Sequence, residues 1–234
     1  DGFAGEFSQS GGLHGDFTAS LNGQAPLRGT VVPSPQGSAV RLSANDAGAT
    51  LAAAGVFSSA RGGALELQLT PRDANGTYDG IAKLTNIRVK NASVLAELLN
   101  AVSVVGLLEQ LNGAGIVFNQ AEAEFLLTPA AVQVQRGSAI GASLGVSMAG
   151  VYQSGSGALA MQGVVSPIYL LNGIGAMFTR RGEGVFGFNY ALRGTADDPQ
   201  VEVNPLSILT PGMFREIFRA PPPVLAPETQ GNGG

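Results

Sequence analysis

Apolar and polar residues alternate along most of the chain in short runs cut by Gly, Asn, Asp and Pro, the pattern of β-strands joined by turns. Leu65-Glu66-Leu67-Gln68-Leu69 is the clearest period-two segment, with three leucines on one side and two polar residues on the other. Before it, runs at 3–7, 13–21, 27–32, 40–44 and 51–57 read as strands, with Asn22-Gly23 and 33–37 as turns. Asn75-Gly76 is a type I′ hairpin signal leading into a long strand, Tyr78–Val89, where the apolar parity slips between Leu84 and Ile87 and predicts a bulge. Further strands are expected at 116–118, 121–127, 132–134, 140–148, 159–165, 185–193 and 201–203. In 140–148, Ile140, Ala142, Leu144, Val146 and Met148 alternate with Gly and Ser, which predicts one strand with a smooth outer side. In 185–193, Phe186, Phe188, Tyr190 and Leu192 share a face.

One stretch breaks the alternation. Residues 91–113 hold ten Leu or Val at helical spacing. Asn91 or Ser93 is expected to cap the start and Gly113 to end it with a left-handed C-cap. Val94, Leu95, Leu98, Leu99, Val102 and Val105 share one face, with Glu97, Asn100 and Ser103 turned away; Val104, Leu107, Leu108 and Leu111 lie nearly opposite. The spacing predicts a kink, or two short helices meeting near 103–106, covering two surfaces. The uncharged run 98–108 is far short of the roughly 20 residues a membrane span needs. The stretch therefore packs on a sheet or lids an apolar groove. Ser166-Pro167 is expected to open a short helix through about Leu171, and Thr210-Pro211 a last one over 212–218. The Pro/Gly-rich residues 220–234 read as a disordered tail.

Composition narrows the class. Charged residues make up only 13% and mean hydropathy is +0.20, so the chain is not disordered by composition. A net charge of −4 without a basic face excludes nucleic acid as a partner. With no Cys and one His, disulfides and thiolate sites are excluded and no metal or other cofactor is expected.

Several motifs imitate chemistry. Gly141-Ala142-Ser143-Leu144-Gly145 fits G-x-S-x-G, but inside an alternating strand, not at a strand-to-helix elbow. His14, the sole histidine, would have to be its base. Gly182–Gly187 fits G-x-G-x-x-G but precedes a strand. Asp197-Asp198 read as a turn and Glu122 with Glu124 as a solvated strand face. Asn75-Gly76-Thr77 and Asn91-Ala92-Ser93 are formal glycosylation sequons explained by a turn and a cap. Arg180-Arg181 could meet a lipid phosphate but read first as loop charges. No enzyme and no catalytic residue is expected.

The run 98–108 (LLNAVSVVGLL), Pro167-Ile168-Tyr169-Leu170-Leu171-Asn172, the strand 184–194 followed by Asp198-Pro199, and the ending 203–215 (VNPLSILTPGMFR) together resemble the C-terminal region of the AsmA-like family, the ending being similar to that of its large YhdP-type members. The match runs in the family's order over roughly 60–219. The resemblance implies a bacterial periplasmic protein anchored in the inner membrane by a segment not in this chain. Its curved β-sheet would carry glycerophospholipid along an apolar groove towards the outer membrane, and this chain would be the end of that bridge. The family offers no catalytic motif.

The expected fold is mostly β: a long antiparallel meander curled into a gutter or half-barrel, a taco-like groove, with a kinked apolar helical segment and a short C-terminal helix. One unit would span 1–219, with strands over 1–90, helices over 91–113, strands over 114–204 and the last helix in 205–219. Leu65, Leu67, Leu69, Phe125, Ile140, Leu144, Val146, Phe186 and Phe188 are the candidate groove lining, touching phospholipid acyl chains. Leu95, Leu98, Leu99, Val102, Leu107 and Leu108 are the candidate lid or plug. A membrane or an outer-membrane protein is expected at the C-terminal end. The alternative is a non-enzymatic interaction module that docks an envelope partner through its edge strands or residues 205–218.

Overall fold

The computed structural model describes residues 2–167, 187–195 and 198–204. These residues form thirteen strands of one antiparallel sheet and three helices. The strands are β1 (Phe3–Ser8), β2 (His14–Leu21), β3 (Ala25–Ser34), β4 (Gly37–Ala44), β5 (Ala60–Arg61), β6 (Ala64–Pro71) and β7 (Tyr78–Val89). After two helices follow β8 (Ile116–Leu127), β9 (Ala131–Gly141), β10 (Leu144–Gln153), β11 (Ala158–Pro167), β12 (Phe188–Thr195) and β13 (Pro199–Asn204). Each pairs with its neighbour in sequence, save that β4 joins β6 and the two-residue β5 pairs with β7 beyond the end of β6. The sheet is not closed into a barrel: the path of pairing ends at β1 and at β13.

The bulge expected in β7 is present. Asn86 adopts φ 54°, and the pairing passes from Thr85↔Gln120 to Ile87↔Phe118. A left-handed residue here turns Ile87 and Val89 onto the same face as Leu84, and both are buried. The helical stretch is divided as its apolar faces require, into α2 (Ser93–Ala101) and α3 (Val105–Asn112). Ser103 marks the break with φ 57°. The two helices meet different strands, α2 against β13 and α3 against β8.

Other expectations need correction. Residues 51–57 do not form a strand. Ala47–Ala53 is a helix, α1, whose N-cap Asp46 accepts from the Ala49 amide at 2.9 Å; an Ala-rich run behind an Asp cap favours helix over strand. The run 140–148 is not one strand but a hairpin, closed by Ala142-Ser143 between β9 and β10. Residues 116–118 and 121–127 are one strand, β8. Asn75-Gly76 lies in a six-residue loop (72–77), not a two-residue turn. The Asp73 carboxylate gathers that loop, accepting from the Asn75 amide at 2.8 Å and the Thr77 amide at 3.2 Å. Neither Asn91 nor Ser93 caps α2; Ala92 holds the N-cap position with no side-chain bond. Gly113 ends α3 with φ −93°, so its cap is not left-handed. Val105, placed with the apolar face, is 65% exposed on the first turn of α3. Ser166-Pro167 continue β11 and do not open a helix. The expected helices through 171 and over 212–218, the segment 205–218 and the tail from 220 lie outside the described residues.

Candidate functional site

The pairing registers carry one face from edge to edge. Phe17, Gly29, Leu42, Leu67, Ala82, Ala123, Gly137, Met148, Gly163, Tyr190 and Val203 are successive cross-strand partners from β2 to β13. Every Lys, Arg, Asp and Glu borne by the strands of this path falls on the other face, among them Glu66, Lys83, Glu122, Glu124, Arg136 and Glu202. Strict period-two alternation makes this segregation: a register fixed by one buried face sends all charges to the opposite side.

Cover over the apolar face is uneven. At one end of the strands, Leu99, Leu111, Ile116, Leu144 and Val165 are wholly buried, with the helices in the same cluster. At the other end Leu69, Phe125, Val132, Val134 and Tyr152 are only half-buried. Small residues lie under the large rings there. A side chain at Gly80 would strike the Phe125 ring and one at Gly29 the Phe17 ring, so both rings lie against bare backbone.

Between the covered and open parts lies a cavity of about 330 Å³. Its roof is α2, through Val94, Leu95 and Leu98; its floor is the sheet, through Leu84, Ala121, Ala139 and Val146; Leu51 on α1, Phe57 just after it and Val201 on β13 line its flanks. Among the described residues the one polar side chain in its wall is Tyr190, whose hydroxyl donates to the Ser147 carbonyl at 2.9 Å. Burial pushes the Tyr190 phenol's ionisation far up, so it stays neutral and its proton is committed. Nothing in the lining can recognise a charge. What the cavity can do is bury hydrocarbon.

The candidate groove residues separate on this geometry. Leu67, Leu69 and Phe125 are half-buried on the apolar face; Val146 lines the cavity; Phe188 is half-buried and packs against the core. Leu65 and Leu144, at 7% and 0% exposure, are core and not an accessible lining. Ile140 is corrected outright. It pairs with Gly145 and Gln120 on the charged face and is 55% exposed, because the hairpin at Ala142-Ser143 puts it out of phase with Leu144. Phe186 lies outside the described residues. Of the candidate lid, Leu95 and Leu98 face the cavity, Leu99, Val102 and Leu107 are buried, and Leu108 is half-buried.

Sequence reasoning missed Met148, Leu159 and Met161 as lining, although their alternation with polar or small neighbours carried the signal. It also missed Leu51 and Phe57, which were hidden by reading α1 as a strand.

No family model, curated protein or solved structure matches the chain.

The motifs that imitate chemistry are scattered. Gly141–Gly145 spans the β9–β10 hairpin, with no helix after its serine. His14 is exposed at the start of β2, far in the strand order from that hairpin, with Nδ1 3.1 Å from the Gly12 carbonyl. Glu124 is paired with Arg136, whose Nε donates to it at 3.1 Å, and Glu122 faces Lys83 across β7. Gly182–Phe186, Arg180-Arg181 and Asp197 lie outside the described residues. No described helix is long and apolar enough to cross a membrane.

Proposed function

We propose that this chain is the terminal part of a bridge-like lipid carrier of the bacterial periplasm, its sheet curled into a gutter whose apolar side receives phospholipid acyl chains. The observation that supports this reading is a charge-free face spanning the described sheet, which the described helices cover at one end only. A sheet must bury its apolar side against something. The three described helices cover one end, and hydrocarbon can serve at the other, since each methylene taken out of water contributes about 0.8 kcal/mol. The family resemblance in the sequence points the same way and supplies the membrane context.

The test is photo-crosslinking in cells from Leu67 and Phe125, both half-buried on the apolar face. Phospholipid adducts are expected there and not from Gln68, which lies on the other face. Only protein adducts, or none, would overturn the reading.

A second reading, a module that docks a protein, has one observation in its favour. β1 is an edge strand without Pro, Lys or a bulge, and it carries Phe3 at 65% and Phe7 at 42% exposure. Such an edge accepts another strand. Protein adducts from Phe3 combined with no lipid adducts from Leu67 would select it.

A further inference from the structure

We infer that the cavity beneath α2 holds the end of one alkyl chain, about ten to twelve carbons of it, and reads nothing of what that chain is attached to. The inference rests on the lipid reading and narrows it, since it divides the apolar face into an open stretch and a bounded pocket. A methylene fills nearly the volume of a liquid water, about 30 Å³. A space of about 330 Å³ therefore takes about eleven carbons in all, the length of one medium chain.

The floor is low where Ala121 and Ala139 pair across β8 and β9, and Val146 stands next to them on β10. Larger side chains surround that floor, and α2 lies over it. Among the described residues no cation, carboxylate or free amide enters the wall, and the Tyr190 hydroxyl is already bonded. A buried charge without a partner is strongly disfavoured, so a carboxylate, phosphate or ammonium stays at the mouth. Leu67 and Phe125 are not part of this wall, and chains lying across them meet no such stop.

The experiment is displacement of the apolar dye N-phenyl-1-naphthylamine from the purified chain by straight-chain alcohols, from 1-hexanol to 1-hexadecanol. Affinity is expected to tighten about fourfold per methylene and then to level off near dodecanol. Dodecanoate and dodecyltrimethylammonium should match dodecanol within about threefold, because no group in the wall tells them apart. Affinity that still climbs at hexadecanol, or a tenfold preference for either charge, would overturn the inference.

Ala121→Phe puts a ring on the cavity's floor and should shorten the levelling point by several carbons. If circular dichroism shows that this variant does not fold, the unmodified chain's length series decides alone. The two readings fail separately. Lipid adducts at Leu67 and Phe125 with no levelling point sink the pocket and leave the carrier. A levelling point without those adducts does the reverse.

Discussion

The two ends of the apolar face are made of the same kinds of residue and differ in what lies over them. At the helical end, Leu99, Leu111, Ile116 and Leu144 are closed off from water; at the other, Leu67, Leu69, Phe125 and Val134 keep part of their surface open. Sequence alternation fixes which side of a strand is apolar. Cover is decided by elements that return from elsewhere in the chain. Core at one end and candidate lining at the other are therefore the same pattern in two settings.

The largest effect should come from cutting into the closed end. Leu99→Ala removes a wholly buried side chain between α2 and the sheet and should cost about 2–5 kcal/mol, read as a fall in the denaturant midpoint. The same exchange at Leu69, half-buried at the open end, should cost well under half as much. Equal losses at both positions would erase the distinction between the ends.

Gly163→Ala should follow, at about 1–3 kcal/mol. Its new carbon would collide with the Ser147 carbonyl and crowd the Tyr190 hydroxyl, which lies 2.9 Å away, so the wall of the cavity itself is strained. Near-ultraviolet dichroism of the tyrosines reports this disturbance alongside the midpoint.

Leu67→Ser should cost only about 1 kcal/mol, since the side chain is only partly buried to begin with. Lipid adducts from a crosslinker at Phe125 should nevertheless fall in this variant. A large loss of stability with adducts unchanged would mean that Leu67 belongs to the core.

How much of this was legible from residues alone can be read at particular places. Tyr78–Val89 was legible to its ends, bulge included, because a parity slip in an apolar alternation has one physical meaning. The break between α2 and α3 was legible for a similar reason: two apolar arcs on opposite sides of one helix cannot both be buried on the same surface. The hairpin at Ala142-Ser143 was not. Its turn residues are small and keep the alternation running through the bend, so period two alone cannot show where a strand reverses. Nor was α1, whose cap at Asp46 was overlooked behind the apolar run it introduces. Cover was the least legible property. Nothing in α2's own residues says that it will meet β13, a strand about a hundred residues further along.

The smallest predicted effect is at the open end's turn. Hydrogen bonding from the Asn75 amide, the largest cause, outweighs desolvation and, with lesser help from Thr77 and the Arg72 charge, holds the Asp73 carboxyl below its ordinary value. A depressed carboxyl adds stability above its unfolded pKa, and this is lost as pH falls through the folded one. Asp73→Asn should therefore flatten the acid limb of the stability curve, measured as urea midpoint against pH, and leave lipid adducts untouched. A variant with the unchanged acid limb would show that the loop does not depend on the charge.

Because nearly every ribbon pairs with the one made just before it, the meander is additive. A hairpin added outside β1 would leave every existing strand pair in place and would lengthen the oily strip by one fixed increment. In such a design, reach across the strands is a matter of counting hairpins.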